Sequence, residues 1–289
     1  FTDRKEAPLN VDDFICFKAN WEPKHVNIAN IAKEINIGED SFVFIDDNPV
    51  ERDIVRNSLT VTVPEVSCPE DYIKAIDRAG FFEITTFTKD DAKRNEMYKQ
   101  NAQRAQAQAS FGNYKDYLLS LDMSGEIGAF STAHCERITQ LINKTNQFNF
   151  TTRRYTQGEV EEIIANPDKY ISAYAKLVDK FGDNGITTCF IASVEDKTAT
   201  IDLWVMSCRV FKRHFEFALF DYFVKQCAKR GITTVNASYL PTAKNVIIKD
   251  FYEELGFTLV SESETEKKYT FTIPADYTNK NEVIKMEEV

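Results

Sequence analysis

The run Ser41–Ile45 (SFVFI) ends directly on Asp46-Asp47-Asn48-Pro49, and a helical stretch from Val50 to Ser58 follows at once. Four β-branched and aromatic positions after Ser41, without alternation, read as a buried parallel strand. The segment before it, His25–Ile37, carries Val26, Ile28, Ile31, Ala32 and Ile35 at amphipathic helical spacing, with Gly38 as its stop. Helix, strand, acidic loop, helix is the order of an α/β sheet. Ligands of such sheets sit beyond the carboxyl ends of the strands, which is where Asp46 and Asp47 fall.

The 289 residues suggest two domains, at roughly 150 residues per domain. The boundary is expected near Phe87. A polar helical stretch from Thr88 to Leu121, with Lys89–Ala109 free of Gly and Pro, would connect 1–87 to 122–289. The second part reads as a mixed α+β sheet. Met123–Phe130, Tyr170–Asp179, Gly185–Val194, Thr198–Met206 and Thr233–Tyr239 are extended. Cys135–Asn143, Gln157–Ala165, Phe215–Arg230 and Lys244–Leu255 are helical, and Phe257–Ser261 with Lys268–Ile273 closes as a hairpin. The C-terminal residues read as a charged tail.

A net charge of −10 speaks against nucleic-acid binding. The six cysteines are scattered without a CxxC pair, against a zinc site or a disulfide framework and in keeping with a reducing cytoplasm. No apolar run approaches the roughly 20 residues that span a bilayer, and Phe1–Asn10 lacks signal-peptide character.

Two constellations carry chemistry. Adjacent carboxylates at a strand end can hold a hard cation, and a lysine can neutralise a phosphoryl group. Asp46, Asp47 and Lys24 offer these groups, and a solvated acidic turn beside a surface lysine is the plainer alternative. Asn20-Trp21-Glu22-Pro23-Lys24 and Phe44-Ile45-Asp46-Asp47-Asn48-Pro49-Val50-Glu51-Arg52 resemble the haloacid dehalogenase superfamily, and within it the FkbH-like branch. The resemblance implies a partial Rossmannoid parallel sheet, a phosphoryl-binding role for Lys24 and Mg²⁺ held at Asp46 and Asp47. No DxDxT-like nucleophile motif follows an apolar strand ahead of Lys24. The chain is therefore expected to be part of a longer protein, incomplete by itself for phosphatase chemistry.

The second constellation is Asn143–Tyr155 (NKTNQFNFTTRRY), dense in hydrogen-bonding side chains, with Arg153 and Arg154 suited to anionic groups. A surface loop with helix caps is the plainer reading. This segment, with Asp179–Gly185, Ser207–Val210 and Pro241–Asn245, also resembles the C-terminal domain of FkbH-like proteins. Asn245–Phe257 resembles the last helix of the GNAT acyltransferase fold, in which a Gly-rich turn cradles the coenzyme A pyrophosphate at a helix N-terminus. Here the turn Ser207–His214 holds no glycine, so Arg209, Lys212 and Arg213 would supply charge instead. That favours phosphopantetheine on a carrier protein over coenzyme A.

Cys208 is a candidate nucleophile if nearby cations lower its pKa, and an inert thiol otherwise. Tyr252 matches the tyrosine that protonates a leaving thiolate, or is a packed aromatic. Trp204 reads as core and His214 as a surface or cap residue. Asn146, Gln147, Arg153, Arg154, Arg209, Lys244 and Asn245 are expected to line the substrate site. The resemblance implies a small phosphorylated, glyceryl-type substrate whose acyl group passes to an acyl carrier protein thiol. The alternatives are an N-acyltransferase using acyl-coenzyme A and a non-catalytic module that binds a carrier protein.

Overall fold

The computed structural model describes Glu6 and residues 8–35, 37–66, 68–83 and 93–289. Its contacts divide the chain into two units, Phe1–Ala107 and Gln108–Val289. The boundary expected at Phe87 and the start of the connecting helix at Thr88 lie outside the described residues.

In the first unit α1 (Lys24–Ile35), α2 (Pro49–Ser58) and α3 (Tyr72–Ala79) are helical. Asn48 caps α2 by accepting from the Val50 N–H, and Pro49 sits at its first position, where the missing N–H costs nothing. The expected strand Ser41–Ile45 is reduced to a parallel bridge between Val43 and Thr62. Phe44 donates to the Thr62 carbonyl at 2.9 Å, and Thr62 donates to the Phe42 carbonyl at 3.1 Å. A short helical turn at Glu39–Ser41 takes up the start of the run.

The polar stretch after residue 93 is helical as α4 (Arg94–Ala109), but it does not continue to Leu121. Asn113 restarts the chain as α5 (Tyr114–Ser120) by accepting from the Lys115 N–H at 2.9 Å. An Asn in extended conformation is a better cap than a helix interior residue, so the break falls there.

The second unit is a mixed α/β fold. Its sheet contains β1 (Ser124–Gly128), β2 (Phe148–Asn149), β3 (Tyr170–Asp179), β4 (Gly182–Glu195), β5 (Thr198–Met206), β6 (Thr234–Tyr239), β7 (Thr258–Glu262), β8 (Lys267–Thr272) and β9 (Lys285–Glu288). The strand order is β7-β8-β6-β5-β4-β3-β1-β9, with β2 on β5. β3, β4 and β5 form an antiparallel meander, whereas β5 and β6 run parallel. The helix α8 (Phe215–Lys229) makes that crossover, and a parallel pair needs such a long connection. Helices α6 (Cys135–Lys144) and α7 (Gln157–Ala165) pack their Ile138, Leu141, Ile142, Val160 and Ile163 against β3, β4 and β5.

Two expectations need correction here. Lys244–Leu255 is not one helix. It is a single 3-10 turn at Val246–Ile248 and the short α9 (Phe251–Glu254), because Asn245 and Asp250 leave helical geometry at φ −105° and −106°. The charged C-terminal tail is β9, parallel to β1.

Candidate functional site

In the first unit, Lys24 at the start of α1 and Asp46 after the bridged strand form an ion pair between Lys24 Nζ and Asp46 Oδ2. Asp46 Oδ1 also accepts from the Asn48 N–H at 2.9 Å. Burial pushes the Asp46 carboxyl up, but Lys24 and the Asn48 N–H outweigh it and hold the group below its ordinary value. The Lys24 ammonium is raised, mainly by its bond to Asp46. Asp47 is exposed. Arg52, buried in α2, donates from Nη1 to the carbonyls of Asp46 (2.9 Å) and Asp47 (3.1 Å) and so fixes the acidic loop from behind. In the sequence Arg52 closes the motif Phe44–Arg52 without a role of its own. Its signal was position, one turn into the helix that the acidic loop feeds.

Asp46 and Asp47 do not by themselves make a Mg²⁺ site. An octahedral Mg²⁺ wants several oxygen ligands, and Lys24 already occupies one Asp46 oxygen. Among the described residues no group of three or more His, Cys, Asp or Glu side chains is placed to hold a metal ion.

In the second unit the candidate residues divide by environment. Cys208 and Arg209 follow the end of β5, and the Cys208 side chain reaches solvent. The expectation of a lowered thiol pKa is not met. The surrounding packing raises it, and Arg209 counters that only in part. Arg209 Nε donates to Ser207 Oγ at 3.2 Å. Behind it, Arg213 and Asp179 form a buried ion pair at 3.0 Å, and Arg213 also donates to the Arg209 carbonyl. The Asp179 carboxylate accepts from the N–H groups of Phe181 and Gly182 at 2.9 and 3.2 Å, so the pair is well satisfied.

Arg154 donates to the Ile142 carbonyl, to the Thr145 carbonyl (2.8 Å) and to Asn146 Oδ1. It closes the carbonyl end of α6, a common duty of a basic residue at a helix C-terminus. Arg153 lies over the Tyr155 ring at 4.6 Å. Asn146, Gln147 and Lys244 are exposed. Asn245, expected at the substrate site, is 0% exposed and its side chain is taken up by the protein interior. Tyr252, expected to protonate a leaving thiolate, is 1% exposed, with Phe150 at 4.3 Å, Phe257 at 5.0 Å and Tyr269 at 5.4 Å between ring centroids. Burial raises its pKa well above the ordinary value, and its hydroxyl has no hydrogen-bond partner. Both corrections have one cause, since the turn at Val246–Ile248 and α9 point these side chains into the core. Trp204 is core as expected, and His214 occupies the N-cap position of α8 without a capping side-chain bond.

Glu216 lies in the first turn of α8, where the sequence marks it only as a helix residue. It is 4% exposed, and burial pushes its carboxyl up to about 7. The backbone N–H groups at the start of α8 oppose that rise only in part, and its Oε2 has no hydrogen-bond partner. A cavity of about 540 Å³, lined by Lys169, Ser193, Glu195, Thr198 and Asn236 among others, lies at the opposite end of β5 and includes none of the candidate residues.

No family model matches the chain, and no curated protein does. Among solved structures, it is similar to the ribosomal-protein-S18-alanine N-acetyltransferase of Escherichia coli, at 14% identity and a TM-score of 0.40. That likeness covers 54% of this chain and 97% of the other. The PaiA N-acetyltransferase of Thermoplasma acidophilum, solved with coenzyme A, is similar at 13% identity and a TM-score of 0.40, over 52% of this chain and 99% of that one. The N-terminal part of a Bacteroides fragilis protein, containing a phosphatase domain complexed with Mg, is 44% identical over 30% of this chain, with a TM-score of 0.29. This chain spans 23% of its length. All three TM-scores are low, and the functional reading rests on this chain's own residues.

Proposed function

We propose that this chain belongs to an FkbH-like acyl-handling protein. Its first unit contributes to binding a phosphorylated three-carbon donor, and its second passes the acyl group to the phosphopantetheine thiol of an acyl carrier protein in the cytoplasm. The observation that carries the reading is the Lys24–Asp46 ion pair, which joins two residues 22 positions apart on a corner backed by Arg52. A lysine held at a loop of carboxylates is suited to meet an incoming phosphoryl oxygen.

In the second unit Cys208 would take the acyl group. Its Sγ attacks the acyl carbon of an acyl phosphate, the carbon–oxygen bond to phosphate breaks, and the S–H proton leaves with the phosphate. The carrier thiol then attacks the thioester and returns the proton to Cys208. Arg209 beside it offers charge to the anionic donor or to the phosphodiester of the carrier's arm.

A second reading has its own support. The raised pKa of Cys208 and the enclosed hydroxyl of Tyr252 suit a module that docks a carrier protein without chemistry. One experiment separates the two. In the intact protein, Lys24→Ala and Cys208→Ser are compared with wild type for acyl loading of the carrier, followed by mass spectrometry. The catalytic reading expects at least a hundredfold loss for each with carrier binding unchanged. Undiminished loading by both variants would remove it.

A further inference from the structure

Parallel strands that part company leave two edges of unpaired N–H and C=O groups, a natural slot for an extended chain or ligand. β5 and β6 are such a pair. They are in register from Thr198↔Thr234 to Ile201↔Ala237 and no further, although β5 continues to Met206. A thioester arm would find its backbone partners in this slot.

The slot is already full. Phe148 and Asn149 pair antiparallel with Met206 and Val205 on the edge of β5 that faces β6. The other edge of the same two residues is taken by Thr188 and Cys189 of β4. Thr151 Oγ1 donates to the Asp202 carbonyl at 2.9 Å. On the far side, the Leu240 N–H, just past β6, donates to the Phe150 carbonyl at 2.8 Å. Residues 148–151 are thus bonded to both parting strands at once.

Asn245 holds this wedge. Its Nδ2 donates to the carbonyls of Asn149 (3.0 Å) and Leu240 (2.9 Å), and its Oδ1 accepts from the Thr242 N–H (2.7 Å) and the Tyr239 hydroxyl (3.2 Å). Both donor hydrogens and both acceptor positions of the amide are used, and a buried amide so satisfied fixes one arrangement. Phe148 and Phe150, at 1% and 0% exposure, fill the space with rings that contact Trp204, Phe251 and Tyr252.

We infer that the slot between β5 and β6 of the second unit is closed to free coenzyme A, because the unit's own segment Phe148–Thr151 occupies it, with Asn245 as the positioning residue that keeps it there. The start of α8 agrees. The buried Glu216 side chain stands in that first turn, where a pyrophosphate would meet the helix amides, and the turn before it has no glycine to let a phosphate approach. An acyl group therefore reaches Cys208 from outside the sheet. The inference does not depend on the acyl-handling reading, since a module without chemistry would be closed in the same way.

The test combines binding with amide hydrogen exchange on the intact protein. Acetyl-coenzyme A and coenzyme A are titrated to about 1 mM, a weak-binding limit, while exchange at the Leu240 amide is followed. The inference expects no saturable binding, or binding that leaves Leu240 protected. Saturable binding that exposes Leu240 to exchange would overturn it. In Asn245→Ala, exchange at Leu240 should rise at least tenfold while the amides of the β3–β4 ladder keep their protection. Should that variant fail to fold, the near-isosteric Thr151→Val removes only the bond to Asp202 and should raise the same exchange several-fold. A Leu240 amide indifferent to whichever variant folds would refute the role of the wedge.

Discussion

Glu216 shows how a single side chain reports on its surroundings. Its carboxyl titrates near 7 because burial disfavours the charge more than the α8 amides favour it. The folded pKa lies above that of an exposed glutamate, so the group's contribution to stability is complete below about pH 4.5 and is lost as pH rises to about 7. Glu216→Gln has no proton to lose. The stability difference, variant minus wild type, should therefore grow by about 3 kcal/mol between pH 4.5 and pH 8, the equivalent of roughly 2.5 pKa units. Urea unfolding of both proteins across that range measures it, and a pH-independent difference would show that Glu216 titrates normally. Lys212 and His214, just before it, adopt left-handed backbone at φ 67° and 65°. That is a costly geometry for residues with a Cβ and consistent with a turn over-determined by the Arg213–Asp179 pair.

At the scale of elements, the sequence was most legible where local signals and tertiary demand agreed. Lys24 and Asp46 were expected together at the edge of a parallel sheet, and their ion pair forms although the described residues there hold only the bridge between Val43 and Thr62. The long helix α8 and the meander of β3, β4 and β5 follow from runs long enough to show their period. The wedge was not legible. β2 has two residues, too few for any periodicity, and its partners lie more than 50 positions away. The hydrogen-bonding density of Asn143–Tyr155 was visible, but its use in holding backbone to backbone depends on strands elsewhere. Lys244–Leu255 misled because its apolar spacing suits a helix, while Asn245 bonds locally to the Thr242 N–H and leaves the helical path.

The C-terminal strand β9 was hidden by its charge, which belongs to an edge. Gly125 admits it. A Cβ there would stand 2.7 Å from the Lys176 carbonyl oxygen and 2.8 Å from Met286 Sδ. Gly125→Ala should therefore cost about 1–3 kcal/mol through overpacking. It should also free the β9 amides, beginning with Lys285, which donates to Met123. Thermal unfolding with amide exchange checks both, and unchanged protection of β9 would mean that the strand docks without needing the glycine.

Across the whole molecule the two units differ in kind. The buried apolar residues are concentrated in the second, where Phe148, Phe150, Trp204, Phe220 and Phe223 form a continuous aromatic interior. Among the described residues of the first, Ala32, Val55, Val61 and Val66 are the buried apolar side chains. No helix among the described residues is long and apolar enough to cross a membrane. The chemistry expected of the molecule divides in the same way, with a phosphoryl-type corner on the first unit and a thiol beside an arginine on the second. The proposed function requires that an acyl group pass through Cys208. The direct measurement is peptide mass mapping of the intact protein, quenched in acid during turnover with an acyl phosphate donor and a carrier protein lacking its phosphopantetheine, so that the acyl group cannot move on. An acyl mass is expected on the peptide containing Cys208, lost in Cys208→Ser and retained in Tyr252→Phe. An acyl mass confined to another residue, or present at equal level in Cys208→Ser, would contradict it.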